Sequence, residues 1–159
     1  MRISSHMKTN YPKLSNWILI NIPKVLDKSK VFYAFMKYSE QSHSRTIEIL
    51  ANNSGPILID WYFPENHDGV RGRINGRSNM KGYNKNIICL ARDICDKFEH
   101  SNKAANSPKM HLLLESTILH EMVHWGDRLD GVRQKGEEGK DFERKAYGRD
   151  IGPYWPSAE

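Results

Sequence analysis

His120-Glu121-Met122-Val123-His124 sets two imidazoles four residues apart, with a carboxylate directly after the first. This is the HExxH pattern. On a helix, residues four apart share a face roughly 6 Å from one another. Two such rings can converge on one ion at Zn–N distances of about 2.0–2.1 Å. Glu121 falls to one side, where it can take a proton from a water without ligating the metal, as a general base must. With 7 His in 159 residues, composition yields roughly 0.02 accidental occurrences of the pattern, so chance explains it poorly.

A zinc hydrolase keeps three protein ligands and an open position for water. Three acids compete for the third place. Asp130 lies six residues after His124, a spacing some zincins use, but those carry glycine three residues after the second histidine. Here Asp127 holds that position and Gly126 comes one residue early. Asp127 itself lies too near the expected helix end. Glu143, 19 residues after His124, is preferred: it falls on a second expected helix, beyond a loop whose glycines let the two helices fold together. Its competing reading is a solvated helix acid beside Arg144 and Lys145. Tyr147, one turn further on, is a candidate oxyanion stabiliser, a group holding a ligand in place, or a core ring. His111 and Tyr154 are further oxyanion candidates.

These residues need elements to position them. Lys109 to Trp125 contains no Gly or Pro and is expected to be a helix stopped by Gly126. Glu137 to Tyr147 reads as a last helix, with Glu137 and Glu138 in its first turn suiting the macrodipole. Ile57–Tyr62 and Asn86–Ala91 read as strands, and Asn75-Gly76 as a hairpin turn joining Val70–Ile74 to Arg77–Met80. The apolar residues of the Asn86–Ala91 strand suit ordinary sheet core at least as well as an exposed edge pairing with an extended peptide, which only zincin geometry would imply. Lys24 to Gln41 is expected to be one amphipathic helix. Ser44 is expected to cap a second helix over Arg45–Ala51, and Arg92–Glu99 to form a short one. Residues 8–23 read as an irregular arm and 101–108 as a polar connection. The aromatic tail around Tyr154 and Trp155 is expected to dock on the core, and His67 with Asp68 to be solvated. The simplest account is one α+β domain with a small mixed or antiparallel sheet.

Composition agrees: hydrophobic residues make up 38% and charged residues 27%, the balance of a globular protein. No apolar run approaches the roughly 18–20 residues of a membrane span, and no signal peptide is visible. The opening Met-Arg-Ile-Ser-Ser-His-Met resembles an expression leader, so residues 1–7 are set apart from the domain at 8–159. Cys89 and Cys95 form no CxxC pair and are expected to be buried thiols. The net charge of +5 and pI near 9.2 give a basic surface. Arg71, Arg73 and Arg77 cluster around the expected turn, but no aromatic-and-basic signature of nucleic-acid binding accompanies them.

The segment Leu119 to Gly131, with its continuation Gly136-Glu137-Glu138-Gly139-Lys140-Asp141-Phe142-Glu143 and Ala146-Tyr147-Gly148, resembles the zincin-like metallopeptidase toxin domains of bacterial polymorphic toxins. It is similar in particular to the metallopeptidase toxin 3 type found among type VI secretion effectors. The resemblance implies a zincin-like fold, Zn²⁺ held by His120, His124 and Glu143, and Glu121 as catalytic base. It also implies a secreted effector acting on a protein or peptide in a rival or host cell, in either periplasm or cytoplasm, and a cognate immunity protein in the producer. Other readings are a hydrolase of peptidoglycan stem peptides, a non-catalytic zinc-binding interaction module, and a basic nucleic-acid-binding domain.

Overall fold

Runs rich in Ile, Leu and Trp pair into a sheet, and the long uninterrupted segment before Gly126 coils across it. The computed structural model describes residues 1–64, 66, 74–78, 82, 84–129, 131–132 and 136–152. Strands β1 (Arg2–Ile3), β2 (Ile57–Trp61), β3 (Gly76–Ser78) and β4 (Ile87–Ala91) form one sheet in the order β1-β2-β4-β3. The β1–β2 and β2–β4 pairs are parallel, and β3 runs antiparallel to β4. The sheet is therefore mixed.

Ile88, Cys89, Leu90 and Ala91 are all buried, as a central strand covered on both faces requires. Of the two readings of this strand, sheet core holds: β2 and β3 occupy its two sides, so it is not the edge that an extended peptide would need. The edge strand is β3. Gly76 is not a turn residue either: it pairs with Leu90, and the carbonyl of Asn75 accepts from the amide of Ala91 at 2.8 Å. Val70 to Arg73, the expected partner arm of a hairpin, lies outside the described residues, as do His67, Asp68, Asp130, Tyr154 and Trp155.

Around the sheet lie helices α1 (Ser5–Asn10), α2 (Pro12–Asn21), α3 (Ser29–Tyr38), α4 (His43–Leu50), α5 (Arg92–His100), α6 (Asn102–Ala105), α7 (Pro108–Asp127) and α8 (Glu138–Tyr147). The expected irregular arm at 8–23 is mostly α2, since Pro12 stands in its first turn, where its missing N–H costs nothing. The single helix expected over 24–41 is a 3₁₀ segment, Pro23–Asp27, followed by α3. Ser42, rather than Ser44, caps α4 by accepting from the amide of Arg45 at 3.3 Å. The 101–108 connection contains α6. Residues 1–7 are packed: Arg2 and Ile3 pair with Ile57 and Leu58, and Met1 and Met7 are fully buried. Both cysteines are buried free thiols.

Helix α7 starts where Ser107 accepts from the amide of Met110 at 3.4 Å, and it passes through Gly126 instead of stopping there. A side chain at Gly126 would put its Cβ 2.9 Å from Cβ of Ser39. The glycine is present for close packing against the end of α3, and Gln41 seals the contact by donating to the Gly126 carbonyl at 3.1 Å. Helix α8 packs on both α3 and α7, while the other side of α7 meets β3 and β4. The helix carrying the two histidines is thus clamped between sheet and helix layers in a single α+β domain. No described helix is long and apolar enough to cross a membrane.

Candidate metal centre

Four residues apart on α7, His120 and His124 bring their Nε2 atoms to 3.2 Å from each other. Oε1 of Glu137, immediately before α8, lies 2.8 Å from Nε2 of His124 and 3.5 Å from Nε2 of His120. These residues form a possible metal site among those described. Donors about 2.05 Å from a tetrahedrally coordinated ion lie roughly 3.3 Å apart. The three observed spacings, 2.8, 3.2 and 3.5 Å, bracket that value, so the donor set fits three corners of a tetrahedron.

The other side of each imidazole faces α8. Nδ1 of His120 lies 2.7 Å from Oε1 of Glu143, whose second oxygen accepts from the amide of Ile151 at 2.6 Å. Nδ1 of His124 lies 3.5 Å from Oε2 of the buried Glu138. A carboxylate behind a ring holds the proton on Nδ1 and leaves the Nε2 lone pair free for a metal. Burial alone would lower the pKa of His120, but the hydrogen bond to Glu143 and the charges of Glu121, Glu143 and Glu137 outweigh it, and the net shift is upward. Close packing enforces the geometry: a Cβ at Gly139 would sit 2.3 Å from Nε2 of His120.

Glu121 is buried at the floor of a cleft of about 380 Å³, lined also by His120, His124, Glu137 and residues 76–78. Burial pushes its carboxyl pKa upward, partly countered by the two histidines, a hydrogen bond from Ser78 and the charge of Arg128. β3 can lie this close to α7 because residue 76 is glycine; its Cβ would be 3.1 Å from Cγ of Glu121.

The structure therefore brings His120, Glu121 and His124 together and places Glu143, the expected third ligand, behind His120. Tyr147 is placed elsewhere: its hydroxyl donates to Oε1 of Glu115 at 3.2 Å, and Lys28 holds the other oxygen at 2.5 Å. Burial, then the Glu115 charge, raises the Tyr147 pKa. His111 is likewise engaged, its Nε2 lying 2.7 Å from the Ala105 carbonyl. Sequence reasoning missed Glu137, Glu138 and Ser78 as site residues. The signal the two acids carry in the sequence is their place in the first turn of a helix, which the helix dipole alone accounts for.

The family model for metallopeptidase toxin 3 matches residues 7–148. No curated protein and no solved structure matches the chain. The match takes in β2, β3 and β4 together with α7, α8 and every residue of the histidine cluster, and on that basis the chain belongs to the metallopeptidase toxin 3 family.

Proposed function

We propose that this chain is a zinc-dependent peptidase whose metal is held by His120, His124 and Glu137, with Glu121 as general base. The observation that carries this is the trio of donor atoms at tetrahedral spacing beside a buried glutamate. When bound, the ion supplies Lewis acidity: it acidifies a water molecule and polarises a peptide carbonyl. Glu121 accepts the proton of that water and later delivers it to the departing amine. Ser78 steadies the Glu121 carboxylate.

The resemblance implies Glu143 as third ligand. Its contact with Nδ1 of His120 supports a positioning role instead, with Glu137 as the carboxylate that meets both Nε2 atoms. Tyr147, considered for catalysis, is assigned to the Glu115 and Lys28 cluster. The substrate is a protein or peptide, and the domain serves as a secreted toxin delivered into another cell, with an immunity protein guarding the producer. An intact base on the cleft floor disfavours a purely structural zinc module, in which the metal has no open position.

The test is metal content followed by activity. Purified protein should bind about one zinc per chain, and His120→Ala/His124→Ala should bind none. Glu121→Gln should keep zinc and fold while lowering proteolysis or toxicity by roughly 10²–10⁴-fold. Full activity of Glu121→Gln would rule out the assigned mechanism.

A further inference from the structure

Peptide hydrolysis builds negative charge on the carbonyl oxygen, and a second positive group beside a metal lowers that barrier. Tyr147 and His111 meet Glu115 and the Ala105 carbonyl and do not line the cleft. Among the described residues, the permanently cationic ones that line the cleft with His120, Glu121 and His124 are Arg77 and Arg128. Gly76 and Ser78 face α7, so strand alternation turns Arg77 the other way. Its guanidinium carbon lies 5.3 Å from the centre of the Phe63 ring.

Arg128 is differently placed. It caps the C-terminus of α7 in helical backbone, one turn beyond His124 and two beyond Glu121, so that all three share a face. Its charge acts on Glu121. Its Nη2 is shut off from solvent while the residue lines the cleft, so burial holds one arm of the fork and bonds to a ligand fall to the other nitrogens. A guanidinium keeps its charge at all working pH values and offers several N–H donors in fixed directions.

We propose that Arg128 is a further catalytic residue, donating guanidinium N–H bonds to the scissile carbonyl oxygen as that oxygen becomes an oxyanion. The assignment rests on the peptidase reading above. The water oxygen forms the new C–O bond, the carbonyl π pair moves onto oxygen, and the released proton goes to Glu121. When the C–N bond breaks, the oxygen pair restores the carbonyl, the C–N pair leaves with nitrogen, and Glu121 returns the proton to it. Arg128 gives no proton; its bonds strengthen as charge develops, which is what accelerates the step.

The test uses two probes on the full zinc-loaded chain. One is a blocked peptide phosphonate, whose tetrahedral anion copies the developing charge; the other is the same peptide carrying a hydroxamic acid, which is planar and neutral in solution. Calorimetry should show Arg128→Met weakening the phosphonate by about 10²-fold and the hydroxamate by less than about threefold, with zinc content unchanged. Arg128→Lys, which keeps charge and stem but not the fork, should lose about tenfold for the phosphonate. It also carries the test should Arg128→Met not fold. Added guanidinium ion should restore phosphonate binding to Arg128→Gly. Unchanged phosphonate affinity, equal losses for both probes, or a zinc-loaded wild type that ignores the phosphonate would each overturn the proposal while leaving the peptidase reading intact. A wild type that binds no zinc would end both.

Discussion

Glu143 sits 2.7 Å from Nδ1 of His120, where a carboxylate favours the proton on Nδ1 and a lone pair on Nε2. A carboxylate in this place typically governs metal affinity by 10–100-fold. Glu143→Ala should therefore still bind zinc in the same ratio, with a dissociation constant raised by about that factor. Glu137→Ala, which removes a proposed ligand, should lose more; competition against a chelator separates the two. The opposite ranking would return the third-ligand role to Glu143. Tyr147 makes a different claim. Its hydroxyl meets Glu115 away from the cleft lining, so Tyr147→Phe should cost about 1–2 kcal/mol of stability. Thermal melting would register that loss, whereas kcat stays near wild type. A collapse of kcat with an unchanged melt would put the hydroxyl back in the reaction.

Helices α7 and α8 meet at a glycine, and this contact is as much part of the site as the histidines. A Cβ at residue 139 would fall 2.3 Å from Nε2 of His120, so Gly139→Ala must displace either the ring or the first turn of α8. Zinc affinity should drop by at least about tenfold, since small displacements of ligands and their supports carry such costs. Gly152→Ala, where the added carbon meets open space, should leave zinc titration unchanged. At this scale the sequence was partly legible. α7 could be read because nothing in Lys109–Trp125 opposes a helix, and its HExxH spacing has meaning only on one. Gly126 misled because glycine marks both helix ends and close packing, and only the position of Ser39 distinguishes them. Asn75-Gly76 misled for a related reason: a good turn dipeptide was recruited into an edge strand because a bare backbone was needed above Thr117 and Glu121. Glu137 was illegible as a candidate ligand because its distance along the chain from His124 says nothing about where a carboxylate arrives.

The whole chain should feel the metal as a stabilising ligand. Free zinc at 100 times its Kd adds about 2.7 kcal/mol to the folded state, or roughly 5–10 °C in Tm for a protein this size. Chelation should remove that increment from the wild type and leave His120→Ala/His124→Ala unmoved, as scanning calorimetry would record. The acids that surround the histidines, Glu137, Glu138 and Glu143, all belong to the stretch that enters or forms α8, while the rings themselves stand on a helix completed earlier in the chain. A polypeptide emerging from a ribosome or threading through a pore, N-terminus first, would thus present bare imidazoles with no carboxylate to complete their grip. Any ion the rings hold would gain these carboxylate neighbours only once α8 closes against α3 and α7, so the order of the residues makes the histidine pair wait for the helix behind it.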